Sequence, residues 1–434
     1  MDSTIAITLQ RSVVLGLATL PLLAACELGN PSNQATPSSI LPATLDEGLK
    51  LGVLLPTTGD LAPIGQPMVA VLPLLVDQVN ACGGVNQAPV TLIIKDTQTD
   101  PVAGVEAMTQ LVEVNRVHGV VGAIASSVSS GAVEVAVRNR IPLLSPGSTS
   151  PIFTERAKQN DFRGYWARTA PPDRYQAAAL AQLAIDRGYD RISTIAINND
   201  YGIGLEQAFV ATFEKLGGTV INRDNPSRYD PQATTFESEA AAVFSNSPDA
   251  VLAVLYPETG SLLLRSAYQQ GLTNGVQILL TDGVKTETFP DDVGQTADGS
   301  YILSGAIGTV PGASGPGLEQ LTALWEETQG TGISAFVPHA WDAGVLLILA
   351  AQAAGTHRGE AIMAELRSVA GGDGVEVSDV CEGLALLRDG QAINYQGASG
   401  NVDIDEYGDV VSNYDIWTVT DEGAIAVIDH IRLD

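Results

Sequence analysis

Basic side chains are scarce in this chain of 434 residues, which has 22 lysines and arginines against 50 aspartates and glutamates. The formal net charge of −28 would repel the phosphates of nucleic acids and of anionic lipids, so it excludes a nucleic-acid-binding protein. Aromatic residues are also few, at 5%, while apolar residues reach 45%. The sequence therefore predicts an aliphatic core beneath an acidic surface that serves solubility.

Motifs of catalysis and cofactor binding are missing as well. The sequence has four scattered histidines and contains no P-loop, no H-E-x-x-H and no G-x-S-x-G. The segment YGIGLEQ partly matches the dinucleotide fingerprint, but Gln207 replaces its third glycine and no acidic residue follows at the required distance. We therefore expect no enzyme, no metal site and no cofactor.

Cysteine occurs only three times. Cys26 follows the apolar run SVVLGLATLPLLAA, which is shorter than the roughly 20 residues that span a bilayer and is typical of a secretory signal peptide. The sequence LLAAC resembles the lipobox of bacterial lipoproteins, which implies a signal peptide at residues 1–25, a lipid on Cys26 and a flexible tether at residues 26–47. Cys82 and Cys381 are then either a disulfide pair or two free thiols.

From residue 50 onward, short apolar runs alternate with segments of helical periodicity. LKLGVLLP, VTLIIKD, GVVGAIAS and IPLLSP read as strands, and Asp100 before Pro101 reads as the N-cap of a helix. The same alternation of strands and helices recurs after residue 170. A helix end followed by two glycines and a strand occurs at NACGGVNQAPVTL and again at EKLGGTVIN. This pattern predicts an α/β protein of two Rossmann-like lobes with parallel sheets. The C-terminal segment NYQGASGNVDIDEYGDVVSNYDIWTV reads as extended strands joined by glycine turns.

Two predicted strands end in small hydroxyl residues, at SSVSSG and at SPGSTSP. Ligands of open parallel sheets bind beyond the carboxyl ends of strands, where helix N-termini favour anions. Together, Ser126, Ser127, Ser148 and Thr149 could therefore hold an anion such as a carboxylate. The residues alone support equally well a reading in which Ser130 and Ser150 cap helices and the other serines fill turns.

The order and spacing of several segments resemble the periplasmic substrate-binding proteins of ABC transporters of the leucine/isoleucine/valine type. The matching segments between residues 50 and 420 include LLPTTGDLAPIGQ, DTQTDP, VVGAIASSVSSG, IPLLSPGSTSP, FRGYWARTAPPD, NNDYGIGL and YQGASGNVDIDEYGD. The resemblance implies a type I periplasmic-binding fold with a three-stranded hinge and a ligand cleft between the lobes. It implies crossings near Thr169, Thr309 and Ser412, with lobe 1 at residues 48–169 plus 310–411 and lobe 2 at residues 170–309 plus 412–434.

The resemblance also implies an amino-acid site. Ser126 and Thr149 would hold the ligand carboxylate, with Ser148 in the same loop, and the Gly147 carbonyl would accept from the ligand ammonium. In the second lobe the resemblance assigns Tyr201, Tyr256 and Asp282 to the ligand, with Asp282 opposite the ammonium.

One position departs from the family pattern, because Ile64 stands before Gly65 where an aromatic residue is usual. That aromatic residue shapes the side-chain pocket, so the side-chain preference does not carry over.

The function implied is an exported, lipid-anchored, monomeric solute-binding protein, held on the periplasmic side or cell surface by its anchor alone. It would deliver an amino acid or related small carboxylate to an ABC permease and ATPase. The alternative is a lipoprotein of the same fold that senses a ligand or acts on protein partners, such as an activator of a cell-wall synthase.

Overall fold

The computed structural model describes residues 48–432. The predicted signal peptide, the predicted lipid site at Cys26 and the predicted tether lie outside these residues. Strands and helices alternate along the described chain, as the periodicity predicts. The strands are β1 (Lys50–Leu55), β2 (Thr91–Asp96), β3 (Gly119–Gly122), β4 (Leu143–Ser145), β5 (Trp166–Arg168), β6 (Arg191–Ile197), β7 (Thr219–Val220), β8 (Ser227–Tyr229), β9 (Ala250–Val254), β10 (Gln277–Leu280), β11 (Ile307–Pro311), β12 (Val375–Val377), β13 (Ile393–Tyr395), β14 (Tyr414–Val419) and β15 (Ile425–Ile431).

The helices cover most of the remaining ordered segments. They are α1 (Ala62–Ala81), α2 (Pro101–Thr109), α3 (Ser126–Asn139), α4 (Ile152–Lys158), α5 (Asp173–Asp186), α6 (Asp200–Lys215), α7 (Glu237–Val243), α8 (Pro257–Gln269), α9 (Phe289–Val293), α10 (Leu318–Gln329), α11 (Val337–Ala354), α12 (Gly359–Gly371) and α13 (Val380–Arg388). The predicted cap of α2 is confirmed, since the Asp100 carboxylate accepts a hydrogen bond of 2.7 Å from the Ala103 N–H and Pro101 is the first helical residue.

Lobe 1 is built on a parallel sheet with the strand order β2-β1-β3-β4-β5. Strand β1 is an interior strand that pairs with β2 on one side and with β3 on the other. Its residues from Leu51 to Leu55 are all buried, as expected for a parallel sheet with both faces covered. Helix α11 is buried from Val337 to Gln352 and packs against α1, which explains its apolar run from Val345 to Ala351. The aliphatic core predicted from composition lies here.

Lobe 2 is built on a second sheet with the order β15-β14-β11-β10-β9-β6-β7, and β8 also pairs with β6. Strands β6 to β11 run parallel, whereas β14 and β15 are antiparallel additions at one edge. The chain passes between the lobes after β5, after β11 and before β14. Thr309, near which a crossing is predicted, lies inside β11 and pairs with Ile416.

The C-terminal segment differs from the sequence-based expectation. Residues 396–413 contain one isolated bridge between Gln396 and Asn401 and otherwise form turns and irregular backbone. Val402 and Ile404 are buried and alternate with the exposed Asp403 and Asp405, as in a strand, but residues 402–405 pair with no strand of the described chain. The alternation therefore predicted a strand that does not form.

The structure joins Cys82 and Cys381 in a disulfide with a Cα–Cα distance of 5.8 Å. Cys82 follows the last residue of α1, and Cys381 is the second residue of α13. The bond therefore ties together two helices of lobe 1 that are 299 residues apart in the chain.

Candidate ligand-binding site

The first wall of the site is the junction between β3 and α3. Ser126 is the first residue of α3 and is buried, and the helix has no side-chain cap. The first N–H groups of an uncapped helix remain available to a ligand and carry partial positive charge. Ser126 Oγ also accepts a hydrogen bond of 3.3 Å from the Ser150 N–H, which brings the two serine-containing loops together as the sequence predicts.

Ser148 has a different role from the one predicted. Its hydroxyl lies 3.0 Å from the Ile124 carbonyl oxygen and 2.8 Å from Ser129 Oγ, and its N–H donates to Ser145 Oγ at 2.8 Å. Both polar groups of Ser148 are thus used inside lobe 1, where they tie the end of β4 to that of β3. The structure removes Ser148 from the candidate ligand contacts.

Thr149 is completely buried, and its hydroxyl has no hydrogen-bond partner among residues 48–432. Its loop rests on Arg168, which donates hydrogen bonds to the Ser148 carbonyl at 2.9 Å and to the Ser150 carbonyl at 3.0 Å. Arg168 is itself buried against Asp409, with 2.8 Å between nitrogen and oxygen. A buried ion pair thus holds the loop, while the Thr149 hydroxyl is left for another partner.

The alternative prediction that Ser130 and Ser150 cap helices is wrong. Helix α3 begins at Ser126, so Ser130 lies inside it, and α4 has no side-chain cap. Ser130 Oγ donates a hydrogen bond of 2.5 Å to the carboxylate of Asp200, and Ser150 Oγ donates to the Asp200 carbonyl at 2.8 Å. Since Asp200 begins α6 in lobe 2, both serines connect the two lobes.

Lobe 2 supplies the opposite wall. Tyr201 lies in the first turn of α6, Tyr256 directly precedes α8, and Asp282 follows β10. The Tyr201 hydroxyl donates to the Asp282 carboxylate at 2.9 Å, and its ring stacks on that of Tyr256 with 5.6 Å between centroids. These three predicted residues line one cavity together with the predicted Gly147.

This central cavity lies between the lobes and has a volume of about 20 Å³ in the closed form. Its volume is far below the range of pockets for drug-sized ligands. The other lining side chains are mostly apolar. They are Leu61, Ile64, Ile124 and Phe336, with Gly283 beside them.

Two carboxylates are buried in this region. Burial raises the pKa of Asp282 from 3.8 to about 6. Burial and then the charge of Asp282 raise the pKa of Asp173 well above 3.8, although proximity to the Thr149 hydroxyl and to Arg168 lowers it. Neither carboxylate oxygen of Asp173 has a hydrogen-bond partner among the described residues. An unpaired buried carboxylate is costly, so this pair favours a ligand that brings a cation.

Sequence reasoning missed Asp173. The only available signal was its position after APP, where the chain enters lobe 2. Its N–H donates to the Thr149 carbonyl at 2.8 Å, so Asp173 contacts the loop of lobe 1 while opening the first helix of lobe 2. His339 is also buried, and burial lowers its pKa to about 3. The His339 side chain is therefore neutral at physiological pH and provides no positive charge for Asp173 or Asp282.

Asp60 was also missed. It belongs to the loop between β1 and α1, yet its carboxylate accepts hydrogen bonds from the Glu258 N–H at 2.6 Å and from the Thr259 hydroxyl at 2.7 Å. Those two residues form the first turn of α8 in lobe 2. The lobes are therefore closed on the cavity, with direct contacts across it.

Residues 48–432 contain no cluster of three or more histidine, cysteine, aspartate or glutamate side chains suited to a metal ion.

Comparison with known proteins identifies the fold. Residues 68–422 match the receptor family ligand binding region. The chain belongs to this family. A computed match to the solved leucine-binding protein LivK of Thermotoga maritima has a TM-score of 0.74 at 24% identity and covers 88% of this chain and 99% of that one. The predicted type I periplasmic-binding fold, with two α/β lobes and parallel sheets, is confirmed.

Two curated relatives are similar over much of their length. The chemotactic signal transduction system substrate-binding protein BasB of Halobacterium salinarum is 27% identical over 86% of this chain and 87% of its own. The Leu/Ile/Val-binding protein homolog 3 of Brucella melitensis is 26% identical over 63% of this chain and 72% of its own. Membership of this family gives the chain a solute-binding role.

Proposed function

We propose that this protein binds a free α-amino acid in the central cavity. The ligand carboxylate lies at the N-terminus of α3 with Ser126 and the Thr149 hydroxyl. The ligand ammonium lies between the Gly147 carbonyl and the carboxylates of Asp282 and Asp173. The observation that carries this proposal is that the buried Thr149 hydroxyl and the buried Asp173 carboxylate lie close together in adjoining loops and have no other hydrogen-bond partner among the described residues.

The two carboxylates decide between ligand classes. A ligand with a carboxylate alone would leave Asp282 and Asp173 without a counter-charge in a site from which water is excluded. An amine without a carboxylate would leave the uncapped N-terminus of α3 and Thr149 unused. A zwitterion satisfies both sets of groups.

The protein acts by closure around this ligand and is not an enzyme. We propose that it is exported, anchored through a lipid on Cys26 and monomeric, and that it delivers its ligand to an ABC permease and ATPase. The lobe boundaries at residues 48–169 plus 310–411 and 170–309 plus 412–434 belong to the same proposal. A sensory role is the second candidate, because the relative BasB serves chemotactic signalling.

Titration calorimetry against the twenty common L-amino acids tests the binding step. We expect at least one micromolar or tighter ligand, and Thr149→Val weakens it about tenfold because a hydrogen bond to a charged group is lost. Thr212→Val is the matched control, since the Thr212 hydroxyl only donates to the Ala208 carbonyl within α6. Absence of binding to every amino acid contradicts the proposal.

A further inference from the structure

A second cavity lies beside the central one. It is a groove of about 390 Å³, and Ile64 lines both spaces. The remaining lining residues come from the start of α1, from the segment after β10 and from the loop before α11. They are Ala62, Pro63, Gln66, Lys285, Thr286, Glu287, Thr288, Ser334 and Ala335.

Three chain segments run from the wall of the central cavity into this groove. Gly283 lines the cavity and Lys285 lines the groove two residues later, while Phe336 lines the cavity directly after Ala335 of the groove. The third segment is the first turn of α1, through Ile64. A ligand whose α-amino and carboxylate groups lie in the cavity would have to pass Ile64 for its side chain to reach the groove.

Two residues that line the groove carry hydrogen-bond donors. Thr286 is 8% exposed, and its buried hydroxyl has no partner among the described residues. The side chain of Lys285 is 13% exposed, and of the described residues that line the groove it is the one cation. Its ammonium lies 3.1 Å from a carboxylate oxygen of Glu287, whose side chain is 68% exposed, so solvent screens this pair. An ammonium has three N–H donors, which leaves capacity for a second acceptor.

We propose that Lys285 and Thr286 form a distal subsite that selects amino acids whose side chains end in a carboxylate or a carboxamide. This inference rests on the proposed amino-acid site and names its ligand class. Lys285 Nζ donates to the terminal oxygen of the ligand side chain, and the Thr286 hydroxyl donates to the same group. Aliphatic side chains of similar length would leave the Thr286 hydroxyl unpaired and the spare N–H donors of Lys285 unused, which lowers their affinity.

The test is calorimetry with L-glutamate, L-glutamine, L-methionine and L-leucine. We expect the wild type to bind glutamate or glutamine more tightly than methionine and leucine. Lys285→Met weakens glutamate binding about tenfold and changes methionine and leucine binding by less than about twofold. Thr286→Val, which keeps the shape of the side chain, weakens glutamate and glutamine binding about threefold.

Lys158→Met is the matched control, because Lys158 pairs with Glu155 on the surface of α4 and lines neither cavity. It makes the same change in net charge and leaves all four affinities unchanged. The subsite is refuted if the wild type prefers leucine or methionine, or if Lys285→Met shifts all four ligands equally. In those cases the amino-acid site itself survives as long as Thr149→Val still weakens binding, whereas failure of every amino acid to bind refutes both.

Discussion

The carboxylate of Asp60, in lobe 1, accepts a 2.6 Å hydrogen bond from the backbone N–H of Glu258, in lobe 2. Glu258 is in the first turn of α8, and Tyr256, the residue before that helix, provides no side-chain cap. Asp60 therefore caps a helix of the opposite lobe, and it can do so only when the cleft is closed. Closure also fixes the position of Tyr256, which lines the central cavity.

Removal of this cap tests its link to closure. We expect Asp60→Ala to weaken ligand binding about fivefold, because a helix cap contributes about 1 kcal/mol and this one exists only in the closed form. Asp100→Ala is the control, since Asp100 caps α2 within lobe 1. It lowers the free energy of unfolding by about 1 kcal/mol and leaves the affinity unchanged. Calorimetry and urea unfolding measure both effects, and equal affinities of the two variants contradict the assignment.

Ligand affinity is expected to fall on acidification. Burial raises the pKa of Asp282 to about 6 in the ligand-free protein, and the ligand ammonium requires the ionised carboxylate. Affinity is therefore complete above pH 6 and is lost as the pH falls through that value, by about tenfold at pH 5. Asp282→Asn binds weakly and shows no such titration near pH 6. A wild-type affinity that is constant from pH 5 to 7.5 rules out this role for Asp282.

The buried pair of Arg168 and Asp409 is expected to be structurally essential. Arg168→Met leaves Asp409 buried without its partner and removes support from the Ser148 and Ser150 carbonyls, at a cost of about 3–5 kcal/mol of unfolding free energy. Arg223→Met removes the exposed pair with Glu214 and costs less than about 1 kcal/mol. Chemical denaturation compares them, and similar losses in both variants would contradict the expectation.

The disulfide is expected to stabilise lobe 1. The double variant Cys82→Ser/Cys381→Ser should lose about 2–4 kcal/mol of unfolding free energy, because the bond closes a loop of 299 residues in the unfolded chain. Neither cysteine lines the central cavity, so ligand affinity at 25 °C stays within about twofold of the wild type. An unfolding midpoint that does not change on reduction indicates that the thiols are free.

The sequence predicts those parts of the site that depend on local pattern. Ser126 and Thr149 follow adjacent strands, and the alternation of apolar runs with helical segments places strand ends at one edge of a parallel sheet. The cap of α2 follows from Asp100 and Pro101 alone. Each of these features is encoded within a few consecutive residues.

Features that depend on the meeting of the two lobes were not predictable. Nothing near Ser130 indicates that it would contact Asp200 instead of capping α3. Asp60 and Asp173 resemble ordinary surface acids in the sequence, and their burial arises only when distant segments close over them. Ser148 could not be told from Ser126 by composition, because the direction of its hydroxyl depends on the end of β3.

The most direct measurement compares one bound L-amino acid with two analogues of the same side chain. One analogue replaces the α-ammonium by a keto oxygen, and the other lacks the α-carboxylate. We expect calorimetry to show that each change weakens binding about 100-fold, because each leaves buried charged or polar groups of the cavity unpaired. An analogue without the ammonium that binds as tightly as the amino acid would contradict the proposed amino-acid site.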